Sequence, residues 1–555
     1  MTNSIRSESL SLKLSGHNTQ TFHLSGTDSQ PDLEKGEPTP VAVISEARPE
    51  VFKSGLQELT VVIICTFAVA AVSLSSGCYQ MSLLSVGTYF DVNGGQLTWA
   101  IGSNSLAVGA FLLLSGGIAD AFGRKNSLIV SMFLYCVFNL ITGFMESFIS
   151  LCVMRALIGV VISTATPAAA GILGSSYGPS KRKNRVMACF AAGAPLGFIG
   201  GLVAGGIAAQ FLSWRAVHYF LAIVYIIFVV LIYFLVPQDK TLNKKEVLHQ
   251  LKALDYTGAL LIVSSFTLIV FSLTQVDVTQ EKWNTLYIIA CLVLGIAILG
   301  GFVAYEIYIP ENPLLVVELW QNRNFVLAVV CIGFCWIDFN SIVTYYGTMY
   351  FQYVKGYSPL HTTVVTIPMS ITGILVNLFA AFTLHIIPGR FLMIFGIFCF
   401  LASCLIWATM DYYRTYWTGP FICYVLAVIG GDLCYNVVNM VALSSVSNDL
   451  QSRAAGTFNT FIQLAASIGL GVSSAIVSAK YPEIGTPEGY ANTHGLFDAY
   501  KNAYWFGAGC AGAALVLSLF LKVGTAGDQK DADRDARLQT RAEREKGAAS
   551  ETASF

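Results

Sequence analysis

The chain has 555 residues, a net charge of −1, and 55% hydrophobic against 12% charged residues. Soluble domains carry about 25% charge, so this composition excludes an ordinary soluble fold. The balanced charge also argues against a nucleic-acid partner. Residues 1–57 are rich in Ser, Thr, Pro and charge and hold no apolar core of a secretory signal. They predict a disordered cytosolic tail.

Apolar runs follow, and a bilayer crossing takes about 20 residues. Fourteen runs are legible, near 58–82, 97–118, 126–146, 149–175, 186–210, 215–236, 256–275, 286–306, 325–346, 362–385, 390–410, 418–442, 456–479 and 500–522. Basic residues crowd alternate short loops. Arg124 and Lys125 follow the second run, Lys181, Arg182, Lys183 and Arg185 the fourth, and Lys240, Lys244, Lys245 and Lys252 the sixth. The intervening loops carry single bases such as Arg215, Lys282, Lys355 and Arg414. Positive charge is retained in the cytosol, so the richer loops face it, and an even number of spans puts both termini there. Residues 523–555 alternate charges and read as a second solvated cytosolic tail.

The thirteen cysteines fall within or at the ends of the runs, and no CxxC pair stands in a loop. Packing is their expected role, with no metal and no cofactor. No phosphate loop, HExxH or GxSxG occurs, which argues against an enzyme.

The second run ends in GGIADAFGRK. Gly116, Asp120, Gly123, Arg124 and Lys125 stand there in the order G-x-x-x-D-x-x-G-R-K. Asp120 and Arg124 are four apart and share a helix face. Gly123 permits the turn out of the helix. The pattern resembles the signature loop of the major facilitator superfamily. Arg155 and Gly159 match the R-x-x-x-G of that superfamily's fourth helix, with Ile158 where drug exporters often carry Gln. The fifth run, AAGAPLGFIGGLVAGG, resembles the Gly-rich antiporter helix through Gly193, Pro195, Gly197, Gly200 and Gly201, and departs from it at Ala194. The run count is similar to that of the fungal fourteen-span drug:proton antiporters. DYTGALLIVSSFTLIVFSLTQ, YEIYIPENPLL and IGGDLCYN resemble the aminotriazole and boron resistance branch.

The resemblance implies an all-α membrane protein with the major facilitator fold. It would comprise a six-helix bundle at 58–236, a loop and two inserted helices at 237–308, a cytosolic linker at 309–324, and a second six-helix bundle at 325–522. Gly389 and Arg390, in HIIPGR, occupy the position of Gly123 and Arg124 in the second half. The signature loop would act as a conformational latch. The glycines of the fifth helix would let it pack closely around Pro195.

Charged groups at membrane depth cost about 2.5–3.5 kcal/mol on insertion scales, so they line cavities or have partners. Arg155, Asp338 and Asp432 stand well inside predicted spans. By the resemblance, spans one, four, nine and twelve line a central cavity, and all three residues fall on that set. Span one adds Gln80. Asp432 is the first choice for the proton-coupling carboxylate and Asp338 the second, with Arg155 facing them from the first bundle. A structural role, as partner to an Arg or a backbone group, is the alternative for each carboxylate. Trp336, Phe339, Tyr345 and Tyr346 read more simply as interfacial anchors than as a ligand site. Asn436, Asn439, Asn459 and Gln463 serve equally as helix bridges or substrate contacts. His218 reads as a solvated interfacial residue.

The expected function is secondary active transport: proton-coupled efflux of small toxic compounds or drugs, similar to aminotriazole or borate. The expected partners are a small-molecule substrate, protons and the lipid bilayer, with the protein a monomer. Import of a small nutrient such as ammonium is the alternative within transport. A non-transporting nutrient sensor is the alternative of another class. The expected site is the plasma membrane, with the vacuolar membrane second.

Overall fold

Inside a bilayer the backbone must satisfy its own hydrogen bonds, so each apolar run is expected to close into a helix. The computed structural model describes residues 48–525, apart from 93, 178–180, 239–243, 253, 277–278, 280–281, 310–313, 315–316, 446–450 and 485–486. The tails predicted at 1–57 and 523–555 therefore lie outside the described residues, but for their inner edges.

The first half holds α1 (Gly55–Phe90), α2 (Gly94–Phe122), α3 (Arg124–Thr142), α4 (Phe148–Ser176), α5 (Lys181–Phe211) and α6 (Trp214–Leu235). Next come α7 (Tyr256–Gln275) and α8 (Leu286–Tyr308). The second half holds α9 (Arg323–Val354), α10 (Pro359–Thr383), α11 (Gly389–Thr409), α12 (Pro420–Ser444), α13 (Gln451–Lys480) and α14 (Thr493–Ser518). No strand occurs among the described residues.

Local signals explain several ends. Ser54 caps α1 by accepting the Gln57 N–H at 3.1 Å. Gly123 has φ +86°, a conformation that favours glycine, and there α2 turns into α3. α4 is interrupted by a turn at Ser163 and Thr164. α9 contains two π-helical stretches, Ile337–Thr344 and Tyr350–Val354. Such wide turns re-aim side chains and recur at functional sites.

Thirteen described helices are long and apolar enough to cross a membrane. The fourteenth predicted span corresponds to α14. It is long enough, but its first half carries Asp498, Lys501 and Asn502.

Helices α1–α6 surround one core, with Val61, Met132, Tyr135, Ile158 and Tyr225 at its centre. Helices α9–α14 surround another, built on Phe325, Phe400, Trp407, Tyr424 and Tyr504. α7 and α8 pair with each other, and α7 rests on both α2 and α13. The two bundles meet where α2 packs on α13 and α5 on α10. The end bearing Gly123, Arg124 and Arg390 is called the basic end below, and the opposite one the far end.

α1 and α5 pack backbone to backbone. A Cβ on Gly193 would lie 2.4 Å from the Thr66 carbonyl oxygen, on Gly197 2.6 Å from that of Ala70, and on Gly201 2.3 Å from that of Leu74. Small residues are what allow backbones to meet this way in a membrane. Gly200 differs, because its Cβ would meet only the Leu74 Cδ1, at 3.2 Å. α5 runs through Pro195 as a continuous helix.

Candidate functional site

Asp432 sits half-buried in the middle of α12. It faces α10, where a Cβ on Gly373 would lie 3.1 Å from its Oδ2 and the Asn377 amide stands beside its carboxylate. Asn436, one turn on, donates to Asn377 Oδ1 at 2.9 Å and to the Asp432 carbonyl at 2.7 Å. Asn377 in turn donates to the Gly373 carbonyl at 3.0 Å. The i,i+4 spacing of both pairs puts one polar row on each helix. α10, which carries Asn377 and Gly373, also packs against α5 of the other bundle.

An aromatic wall adjoins it. The rings of Trp336 and Tyr435 are 5.8 Å apart, those of Trp336 and Phe339 5.6 Å. The Tyr435 hydroxyl donates to Asn459 at 3.3 Å. Asn439 and Gln463 are half-buried nearby in sequence, on the same helices α12 and α13. The arrangement offers one carboxylate, several amides and flat apolar rings. Such a site can hold a proton, hydrogen-bond a small polar solute, or stack an aromatic one.

Asp338 does not join this cluster. Its side chain is fully buried, and neither carboxylate oxygen has a hydrogen-bond partner. It points at Gly507 of α14, whose Cβ would lie 2.8 Å from Oδ1 and 3.1 Å from Cys404. Asp338 lies within the first π-helical stretch, where regular helical spacing fails to assign its face.

Arg155 also turns into its own bundle. Nε donates to the Ala100 carbonyl at 3.0 Å and Nη1 to the Ser75 hydroxyl at 3.1 Å. Its guanidinium lies 3.9 Å from the Tyr79 ring centroid. Its contacts are thus neutral groups of the first bundle, and it faces neither Asp432 nor Asp338. Delocalised, weakly hydrated guanidinium suits such a buried place better than ammonium would. His218 is buried rather than solvated. Its Nδ1 is 3.0 Å from Asn139 Oδ1, and its ring meets those of Tyr79 and Trp214.

Gln80 links the bundles. Its amide donates to the Thr344 carbonyl at 2.7 Å and to the Thr348 hydroxyl at 2.8 Å. Gln352 donates to the Met81 carbonyl, Thr363 to that of Leu202, and the Leu360 N–H to Gln210. These contacts gather in the far half and form a seal there. Gln80→Leu should weaken it. The expected readout is at least threefold faster thiol labelling from the far side of a cysteine placed at Thr344, whose backbone carbonyl still accepts from Gln80, and unchanged labelling would remove Gln80 from the seal.

At the basic end Arg124 Nε pairs with Asp120 at 3.0 Å, within one exposed turn. Arg124 Nη1 also reaches the Gly171 carbonyl of α4 at 2.8 Å, and Lys125 reaches the Tyr233 carbonyl of α6 at 3.0 Å. Gly116 has open space at its Cβ, while Gly117 abuts Leu254 just before α7. Sequence reasoning missed a second ion pair at this end. Glu58 of α1 accepts from Arg182 Nε and from the Tyr177 hydroxyl, each at 2.8 Å. No run or spacing links residues so far apart in the chain. Among the described residues no group of three or more His, Cys, Asp or Glu could hold a metal.

The profile of the Major Facilitator Superfamily matches residues 65–470. An uncharacterized MFS-type transporter of Schizosaccharomyces pombe is 30% identical over 90% of this chain and 93% of its own. A low affinity ammonium transporter of Saccharomyces cerevisiae is 28% identical, covering 77% and 81%. The aminotriazole resistance protein of the same yeast is 26% identical, covering 85% of each chain. Among solved structures, a bacterial homolog of the human lysosomal transporter Spinster aligns with a TM-score of 0.61 at 12% identity, over 86% of this chain and 99% of its own. That likeness speaks to the fold alone.

Proposed function

The chain belongs to the major facilitator superfamily, and we propose that it exports small toxic solutes in exchange for protons. The basic end would be cytosolic, in the plasma membrane. The observation that carries this reading is the Asp432 cluster, a single half-buried carboxylate held among amides between α12 and α10, the helix that also packs on the first bundle. Ionised, it would hold the site ready for substrate from the basic end. Protonation from the far side would remove the charge, release the substrate and favour the return swing. The relative named for aminotriazole resistance supports a toxicant as cargo. Growth of a deletion strain and its complemented partner on aminotriazole, borate and other toxicants tests the cargo class. Equal sensitivity of both strains to every compound would reject export.

Uptake of ammonium is the second reading, favoured by the relative named for it. Vesicle flux separates the two by its direction relative to the imposed proton gradient.

The latch at the basic end gives a further expectation. Asp120→Asn removes the charge that holds Arg124 Nε and leaves the guanidinium free to shift from Gly171. An exposed pair is itself worth under about 1 kcal/mol, so folding should be unaffected. Flux should fall at least tenfold at an unchanged surface level. Normal flux would remove Asp120 from the transport cycle.

A further inference from the structure

Toward the far end, away from the Asp432 cluster, the bundles line a partly open cavity of about 20 Å³. Its walls are Tyr345, Tyr346 and Met349 of α9, Ser474 and Ser478 of α13, and Tyr500 of α14. Leu97 of α2 closes it from the other bundle, so its shape depends on how the bundles meet. We propose that this cavity binds a small ammonium group, either the free ion or the head of a methylamine.

Three observations carry the assignment. The first is size. The volume suits about one water-sized molecule, and an ammonium ion is of that size. The second is the lining. The Tyr345 and Tyr346 rings stand at 89° with centroids 5.0 Å apart, and the Tyr500 ring is 5.2 Å from that of Tyr346. Phenol faces attract cations, and phenol and serine oxygens accept N–H donors. The third is the Ser478 hydroxyl. It is buried, at 6% exposure, and has no hydrogen-bond partner. Buried polar atoms are nearly always paired, with protein, water or a ligand, so the Ser478 hydroxyl offers a hydrogen bond to whatever small molecule occupies the cavity.

An anion would find no charge partner in the lining. Lys501, next to Tyr500 in the chain, is tied to Asp498 at 3.0 Å and lies over the Phe497 ring at 4.6 Å. A bulky solute is excluded by volume. A cation that carries N–H bonds suits both the rings and the Ser478 hydroxyl.

The test is binding to the purified full-length protein, followed by its thermal unfolding midpoint. Ammonium chloride and methylammonium chloride are titrated against sodium chloride and tetramethylammonium chloride at constant ionic strength. The first two should raise the midpoint saturably, and the last two should not, because a bound ligand stabilises the folded state by mass action. Ser478→Ala should weaken ammonium binding about tenfold, the worth of one lost hydrogen bond to a charged group. Ser478→Leu, which fills the space, should abolish it. Equal effects of ammonium and sodium overturn the site, as does stabilisation by tetramethylammonium. If Ser478→Leu fails to fold, Ser478→Ala decides, and wild-type affinity in that variant also overturns the site. Binding is read without flux, so failure here leaves the export reading untouched, and failure of export leaves this site in place.

Discussion

Gly201→Leu is expected to abolish transport. In the structure a Cβ at this position would already lie 2.3 Å from the Leu74 carbonyl oxygen and 2.9 Å from the Cys78 nitrogen. Both are backbone atoms of α1, so no side chain can rotate away. The helices must separate, and neighbouring contacts at Gly197 and Gly205 open with them, where a Cβ would meet Ala70 and Cys78 at 2.6 and 2.3 Å. Overpacking of this kind costs about 3 kcal/mol or more when the backbone cannot yield. The variant should run as an aggregate on size exclusion, or reach the membrane and carry no flux. Gly200→Ala is the control. Its added methyl meets only the end of the Leu74 side chain, and it should retain wild-type flux within about twofold, a stability change under about 1 kcal/mol. Normal flux in Gly201→Leu would show that the α1–α5 contact is dispensable.

Asp432→Asn is expected to remove the proposed response to a proton gradient. The substitution keeps the shape of the side chain and leaves the Asn377–Asn436 hydrogen bond in place. What it deletes is the charge and the titration. Flux driven by an inward proton gradient should drop at least tenfold and become independent of external pH, while slow exchange of a neutral substrate continues. The measurement is flux at several external pH values with the membrane potential clamped. A wild-type pH profile would place the proton elsewhere. Asp338→Asn should behave differently, since its side chain is sealed against Gly507 and Cys404. Lower protein yield, rather than altered substrate preference, is its expected effect.

The fold was legible in the sequence wherever length and apolarity decide it. Runs such as Leu286–Tyr308 have no other stable form in a bilayer. The glycine face of α5 was legible too, because Gly193, Gly197 and Gly201 recur at helical spacing. The site was only half legible. Ionisable residues at membrane depth single out Asp432, Asp338 and Arg155, but depth does not give direction. The π-helical turns around Asp338 break the regular spacing from which direction would be read. Arg155 found its partners in a ring, a hydroxyl and a carbonyl, none of which carries a sequence signature. Asn377 drew no notice, since a lone amide in an apolar run gains meaning only when α12 places Asp432 and Asn436 beside it. Tyr345 and Tyr346 read as interfacial anchors in the sequence, because the cavity they line arises from α9, α13 and α14 meeting in space.

The central claim is that proton movement and solute movement are coupled in opposite directions. The direct measurement uses sealed vesicles holding the purified protein, a candidate toxicant inside, and an imposed pH step. With the medium at the far face made acidic, efflux through the basic-to-far direction should accelerate and the lumen should acidify in proportion to solute lost. With the pH step abolished by an ionophore, the acceleration should vanish. Solute leaving at the same rate with and without the step, or entering along with the protons, would contradict the account.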